Sequence, residues 1–144
     1  MAATSALPVV TPMLYTLLEN AGLSATVYRY VPQNPSFPYA TLKSFTENRV
    51  DASAHPGKSI LAQCHVFTSS DQYGGAAQAH AIIAAVNTAV TLTLAQREAL
   101  NLQGFNVIKC VPEDAFDAGE EVDGVTYEHI IQTIRVDVMP KVGA

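Results

Sequence analysis

Two arrangements of side chains in this sequence could in principle perform chemistry: a metal site built from histidines, or a nucleophile activated by a neighbouring base. The four histidines stand at positions 55, 65, 80 and 129, and no two of them have a metal-ligand spacing such as i and i+4 on a helix. Cys64 and His65 are adjacent in a predicted strand, where successive side chains point to opposite faces. We therefore predict no catalytic residue, no metal and no cofactor.

The two cysteines, Cys64 and Cys110, both fall within predicted strands. Without a secretory context they are interpreted as small buried hydrophobic residues and not as a disulfide. The sequence also lacks the G-x-S-x-G pattern of a nucleophile elbow.

Residues 52–59, Ala-Ser-Ala-His-Pro-Gly-Lys-Ser, match a relaxed phosphate-binding loop in which alanine replaces the first glycine. Such a loop needs backbone amides turned towards the phosphate and a helix that begins directly after it. Pro56 removes one amide, and the residues after Ser59 favour a strand. We interpret the match as a coincidence. Nucleotide binding by Gly57, Lys58 and Ser59 remains the enzymatic alternative, which titration with ATP and GTP in magnesium would test.

An acidic segment is the remaining candidate site, because 6 of the 13 acidic residues fall within 11 positions: Glu113, Asp114, Asp117, Glu120, Glu121 and Asp123. The ordered spacing of a calcium loop is missing. One interpretation is a solvated hairpin loop that ends in the turn pair Asp123-Gly124. A second applies if the protein forms a ring, since acidic loops in its channel would repel DNA phosphates and let a genome pass.

Length and composition predict one domain, residues 1–144, with a real core. Hydrophobic residues make up 49% of the chain and charged residues 15%, which indicates that neighbouring molecules cover some apolar surface. The formal charge of -5 argues against DNA binding as the main activity. No apolar run approaches the roughly 20 residues of a membrane span, and the N-terminus lacks the features of a signal peptide. We expect synthesis in the cytoplasm and no membrane partner.

Hydrophobic periodicity predicts two main helices. The first covers residues 12–21, with Thr11 as its cap, Pro12 in its first turn and Gly22 as its stop. The second covers residues 76–90, with an apolar stripe of Ala79, Ile82, Ile83, Val86 and Val90. Thr93 and Gln96 have the spacing of a capping box, which predicts a short helix to about Leu100. Strands are predicted over residues 27–31, 39–45, 59–68, 105–111 and 127–138.

The predicted architecture is α+β: a mainly antiparallel sheet with the two main helices packed on one face, a long loop and an acidic hairpin. The long loop is residues 46–57, which are polar and rich in turn-forming residues. Prolines hold residues 31–38 extended. These two segments and residues 140–144 are candidate arms for contacts with other subunits. Charged candidates for an interface in or beside the loop are Glu47, Arg49, Asp51 and Lys58.

The segment Phe37-Pro38-Tyr39-Ala40-Thr41-Leu42 follows a helix and a proline-rich link. It resembles the Pro-Tyr-(Val/Ala)-x-Leu segment of the tail-completion, or tail-terminator, proteins of long-tailed bacteriophages. The later order of polar loop, strand, Ser/Gly break, alanine-rich helix and two closing strands is also similar, so the resemblance covers roughly residues 10–139. Two departures are an aromatic-poor strand end, where only Phe67 stands before the second helix, and a long acidic hairpin. They leave a neck or connector protein open as an alternative.

The resemblance implies a non-enzymatic virion protein of the tail or neck. Its expected partners are further copies of itself in a ring, most simply a hexamer, together with the tail tube protein and the head-side connector. Genome DNA would only pass through the channel. Such a ring caps the tail tube and stops its polymerisation. The resemblance transfers no catalytic positions. A bacterial adaptor domain outside any phage-like gene cluster is a further alternative.

Overall fold

The strands predicted from the sequence form one six-stranded sheet in the computed structural model, which describes residues 5–50, 57–69, 76–122 and 125–141. The helices are α1 Leu7–Glu19, α2 Ala76–Val90 and α3 Leu94–Ala99. The strands are β1 Thr26–Val27, β2 Tyr39–Val50, β3 Gly57–Ser69, β4 Phe105–Asp117, β5 Glu120–Val122 and β6 Val125–Pro140.

The strand order across the sheet is β1-β2-β3-β6-β4, and β5 pairs with the first part of β6. Only β1 and β2 pair in parallel, which confirms the mainly antiparallel prediction. One register row crosses the whole width: Val27, Ala40, Val66, Ile130 and Asp117. We call it the Ile130 row. At the usual spacing between strands it is about 19 Å long.

The core lies between the helices and one face of the sheet, as predicted. On β3, alternate residues are fully buried on that face: Ile60, Ala62, Cys64 and Val66. The helices supply the apolar stripes of α1 and α2, whose innermost members include Leu14, Leu18, Ile82 and Val86. Because helices cover one face only, the opposite face carries the other set of alternating side chains.

The first helix begins at Leu7, so the predicted start at Pro12 with Thr11 as cap is wrong. Pro8 occupies the first turn, and Pro12 lies inside the helix. Ala6, at the cap position, offers no side-chain acceptor, and the Oε2 atom of Glu47 on β2 accepts its backbone N–H at 2.7 Å instead. Ser5 Oγ accepts from the Leu7 N–H at 3.2 Å, so a local and a distant side chain together satisfy the start of the helix. The predicted stop is confirmed, since Gly22 has a left-handed φ of 68°.

The short helix α3 is confirmed together with its capping box. The backbone N–H of Gln96 donates to Thr93 Oγ1 at 3.2 Å, and the Thr93 N–H donates to Gln96 Oε1 at 2.8 Å. The strand predicted over residues 27–31 is shorter, since β1 ends at Val27. Residues 31–38 belong to neither a helix nor a strand.

The long loop predicted over residues 46–57 is wrong at both ends. Thr46–Val50 continues β2, and Gly57 opens β3, with Val50 and Gly57 in register. Residues 51–56, which include Asp51, lie outside the described residues. The polar sequence misled the prediction because strand pairing uses backbone groups, and most side chains of this part of β2 are exposed. A bulge between Lys43 and Thr46 adds irregularity, with Ser44 at a φ of 57°.

The acidic segment is also a pair of strands and not a loop. Glu113, Asp114 and Asp117 lie in β4, and Glu120 and Glu121 lie in β5. The turn pair Asp123-Gly124 falls outside the described residues. Strand β6 is 16 residues long and offers a partner along its whole length. As an edge strand, β4 needs no alternating apolar pattern here. Its register shifts twice, between Val107 and Lys109 and between Pro112 and Ala115.

Candidate assembly surfaces

The acidic residues Glu113 and Asp114 lie in the second bulge of β4, and a buried amide fixes that bulge. Gln132 on β6 is 1% exposed. Its Nε2 donates to the carbonyl oxygens of Glu113 at 2.9 Å, of Asp114 at 3.3 Å and of Thr133 at 2.9 Å. The carbonyls that the bulge removes from the strand ladder are satisfied by this amide, while both carboxylates remain exposed.

Replacing Gln132 by leucine is expected to lower the free energy of unfolding by about 1–3 kcal/mol, because buried carbonyls would lose their donor. Urea denaturation followed by circular dichroism measures the change. The matched control is the same substitution at Gln103, an exposed residue before β4, which we expect to be nearly neutral. Equal stability of the two variants would contradict this account of the bulge.

Arg135 connects the acidic strand to the face opposite the helices. Its Nε donates to Asp137 Oδ1 at 3.1 Å, and its Nη1 lies 3.6 Å from Glu113 Oε1. The hydrogen bond with Asp137, followed by the charges of Asp137 and Glu113, raises the pKa of the guanidinium above its usual value. These pairs are exposed and contribute little stability. They hold the Arg135 guanidinium between the carboxylates of Asp137 and Glu113 on that face of the sheet.

The β2–β3 hairpin carries the other charged candidates. Glu47 is already engaged within the chain, since its carboxylate accepts from Ser5 Oγ and from the Ala6 N–H. Arg49 and Lys58 are direct register partners. The hairpin therefore places two cations side by side, at the end of the sheet opposite the β5–β6 hairpin.

The structure also brings together two histidines that sequence spacing had separated. The rings of His65 on β3 and His129 on β6 meet with 2.7 Å between Nδ1 and Nε2. His65 Nε2 lies 3.1 Å from Gln63 Oε1, an atom that only accepts. When His65 Nε2–H donates to this atom, Nδ1 of the neutral His65 ring accepts from His129 Nε2–H. The pair depends on the β3–β6 register, which no local pattern in the sequence reveals.

The histidine pair belongs to an aromatic cluster on the face opposite the helices. Phe67 stacks on His129 with ring centroids 4.0 Å apart and on Tyr39 at 4.8 Å. Phe37 lies 5.3 Å from Tyr39 and links the cluster to Tyr127 at 5.4 Å. This cluster fixes the segment before β2 against β3 and β6.

Stability is expected to fall between pH 6.5 and pH 4. Burial, then the nearby charges of His129 and Lys43, lower the pKa of His65 from 6.5 to about 4. In this window the unfolded chain binds a proton that the folded chain does not, so the free energy of unfolding decreases as the pH falls. We expect a loss of about 1–2 kcal/mol at pH 4.5 relative to pH 7. His65→Gln should flatten this dependence in thermal melts, and His80→Gln, at an exposed position on α2, should not.

Neither cysteine offers a reactive thiol. Cys64 and Cys110 are free and fully buried. Burial raises the pKa of each thiol to about 12, so both remain protonated at neutral pH. Among the described residues, no three His, Cys, Asp or Glu side chains stand close enough to share a metal ion. In the same part of the chain, no helix combines the length and hydropathy needed to span a membrane.

The phosphate-loop match has no loop geometry where the structure describes it. Gly57, Lys58 and Ser59 are the first residues of β3 and pair with β2, and Lys58 and Ser59 pair also with β6. A strand, and not a helix N-terminus, follows the motif. Gly57, Lys58 and Ser59 are paired in a sheet, which is the physical reason to interpret the match as a coincidence.

Comparisons with known proteins identify the family. The family described as "Tail completion protein gp17" matches residues 10–136. A chain from the solved structure titled "Virion of native gene transfer agent (GTA) particle" has the same fold, with a TM-score of 0.62. That likeness is 21% identical in sequence and covers 94% of this chain and 95% of the other. None of the curated proteins matches. The chain therefore belongs to the tail completion protein gp17 family and is a structural protein of the virion tail.

Proposed function

We propose that copies of this chain close into a ring, most simply a hexamer, that caps the phage tail tube and joins it to the head-side connector. The observation that carries the proposal is the family match over residues 10–136. The ring stops polymerisation of the tube by covering its last layer. Its role is to bind and to position other proteins, with no catalytic step.

The two ends of the sheet support a division of tasks within the ring. At one end the β2–β3 hairpin carries Arg49 and Lys58, and together with Glu47 and Asp51 we assign it to contacts with the tube or the connector. We assign acidic residues of β4 and β5, from the middle of the sheet to its other end, to the wall of the DNA channel: Glu113, Asp114, Glu120 and Glu121. Asp123, outside the described residues, is assigned with them. Asp117 lines a groove beside α2 and is kept as an interface candidate. Like charge on the wall would keep phosphates from adhering.

Removal of the gene from a particle-producing strain tests the capping and joining role. With the chain present, we expect tails of uniform length attached to heads in electron micrographs. Without it, we expect full heads and separate tails of irregular length. Complementation with the unchanged gene is the control. Normal joining and uniform tails in its absence would refute the role.

Light scattering coupled to size exclusion, at high protein concentration, tests the ring itself. A mass near a multiple of the 15.4 kDa subunit would support it, and six copies would support a hexamer. Masses are to be measured for free protein and for protein released from purified tails. A monomer in both preparations would exclude a stable ring.

A further inference from the structure

Tyr30 is a solvent-exposed aromatic side chain. It is 91% exposed, and Val31 beside it is 39% exposed. Both lie directly after β1, at one lateral edge of the sheet, where the ion pair between Arg29 and Glu19 ties the segment to α1. A tyrosine with an apolar ring and a polar tip is typical of the anchors that dominate protein interfaces.

An apolar groove lies at the opposite lateral edge of the sheet, between α2 and β4. Its volume is about 400 Å³, and Ile83, Ala84, Phe116 and Ile130 form much of its lining. Phe116 is 51% exposed on the rim. Asn87 is part of this lining, and its buried Oδ1 has no hydrogen-bond partner among the residues that the structure describes. A buried acceptor without a donor is costly, so a partner that brings a donor would be favoured.

We propose that Tyr30 of one copy inserts into this groove on the next copy, an inference that rests on the proposed ring. The ring of Tyr30 covers the apolar lining, and a turn of the Asn87 amide towards the groove lets the tyrosine hydroxyl donate to its Oδ1. The segment that carries Tyr30 brings no unpaired charge onto the apolar lining: its one charged residue over 28–38 is Arg29, which is paired with Glu19.

The fold places the two partners where a ring needs them. Val27, three residues before Tyr30, and Asp117, in the groove lining, are the two ends of the Ile130 row. They stand at the same height on opposite edges, about 19 Å apart, with three strands between them. Tyr30 therefore lies on the far side of the sheet from its own groove. Contact between different surfaces of successive copies is the heterologous arrangement that closes into rings.

Substitutions on both sides of the contact test the inference. We expect Tyr30→Ala to weaken self-association about 30-fold, as for an interface hot spot, in sedimentation experiments. Tyr30→Phe keeps the apolar contact and loses one hydrogen bond, so we expect about a 5-fold loss. Leu94→Ala, at an exposed apolar residue of α3, is the control and should stay within about twofold.

Cross-linking tests the geometry directly. Copies with Val31→Cys, which keep Tyr30, are mixed with copies with Ala84→Cys, assembled in solution or on tails, and oxidised. Because Cys64 and Cys110 are fully buried, only the introduced thiols react. We expect a covalent dimer of the two variants, and much less of it when Ala84→Cys is replaced by Ala99→Cys on α3.

The Tyr30 contact and the ring are refuted by different results. If unchanged copies assemble while Tyr30→Ala assembles equally well, or if Ala99→Cys cross-links as efficiently as Ala84→Cys, the Tyr30 contact is wrong and the ring stands. If unchanged copies are monomeric in solution and in tails, the ring is wrong, and the contact between copies falls with it.

Discussion

Replacing Ile134 by alanine is expected to lower the free energy of unfolding by about 2–5 kcal/mol, one of the two largest effects among the substitutions considered. Ile134 is fully buried in β6, in register with Ala62 on one side and Pro112 on the other. The helices cover it, so the cavity left by three lost carbons cannot close without moving α2 or the sheet. A domain of this size has a total stability of about 5–15 kcal/mol, so the loss is a large fraction of it.

The matched control for this substitution is Ile108→Ala, which deletes the same atoms from a side chain that is 49% exposed. We expect that variant to lose less than about 1 kcal/mol. Urea denaturation of the three proteins measures both values, with unchanged m-values as the sign that only stability differs. If Ile108→Ala destabilised the fold as much as Ile134→Ala, the assignment of the core to the helix-covered face would be wrong.

The second large effect is expected for Gly57→Val, at about 3 kcal/mol of destabilisation. A Cβ atom at Gly57 would stand 2.9 Å from the carbonyl oxygen of Val138, a distance that real Cβ atoms essentially never show. That oxygen belongs to the backbone of β6 and cannot rotate away. The first residue of β3 would therefore have to move off β6, which would disturb the base of the β2–β3 hairpin.

Lys58→Val provides the comparison, since it places the same side chain one position further along the strand at a partly exposed site. Thermal melts should show a clear decrease for Gly57→Val and little change for Lys58→Val. Equal melting temperatures for the unchanged protein and both variants would contradict this account, because they would show that β3 and β6 can separate at Gly57 without loss of stability. The same contact gives a structural reason for the glycine in the phosphate-loop match, since Gly57 lets β3 and β6 approach closely.

Residues whose role is set by local pattern were predictable from the sequence. The stripe Ala79, Ile82, Ile83, Val86 and Val90 is buried as the helical spacing requires. The alternation in β3 places Ile60, Cys64 and Val66 on the helix-covered face. The capping box at Thr93 is formed. In each case the signal lies within a few residues, so the period alone decides which side chains are buried.

The predictions that failed depend on contacts between distant parts of the chain. The start of the first helix at Leu7 involves Glu47 of β2, which accepts the N–H of Ala6 from 41 residues away. Strands β2 and β4 continue through polar and acidic sequence because a neighbouring strand pairs with their backbones, whatever their side chains. The histidine pair and the groove at Asn87 require the register of the sheet. A local sequence pattern predicts which side chains are buried. The helix start, the strand lengths, the histidine pair and the groove depend instead on which distant residues are neighbours in the sheet.

The irregular edges of the sheet limit the kinds of contact through which the subunit can assemble. A bulge between Lys43 and Thr46 interrupts β2, and two bulges and Pro112 interrupt β4. Edges of this kind resist the addition of another strand, which is how natural sheets avoid fibres. We therefore expect copies to join through side-chain contacts and not by adding strand to strand. A ring built in this way ends when its last contact closes, so it leaves no open edge from which a fibre could grow.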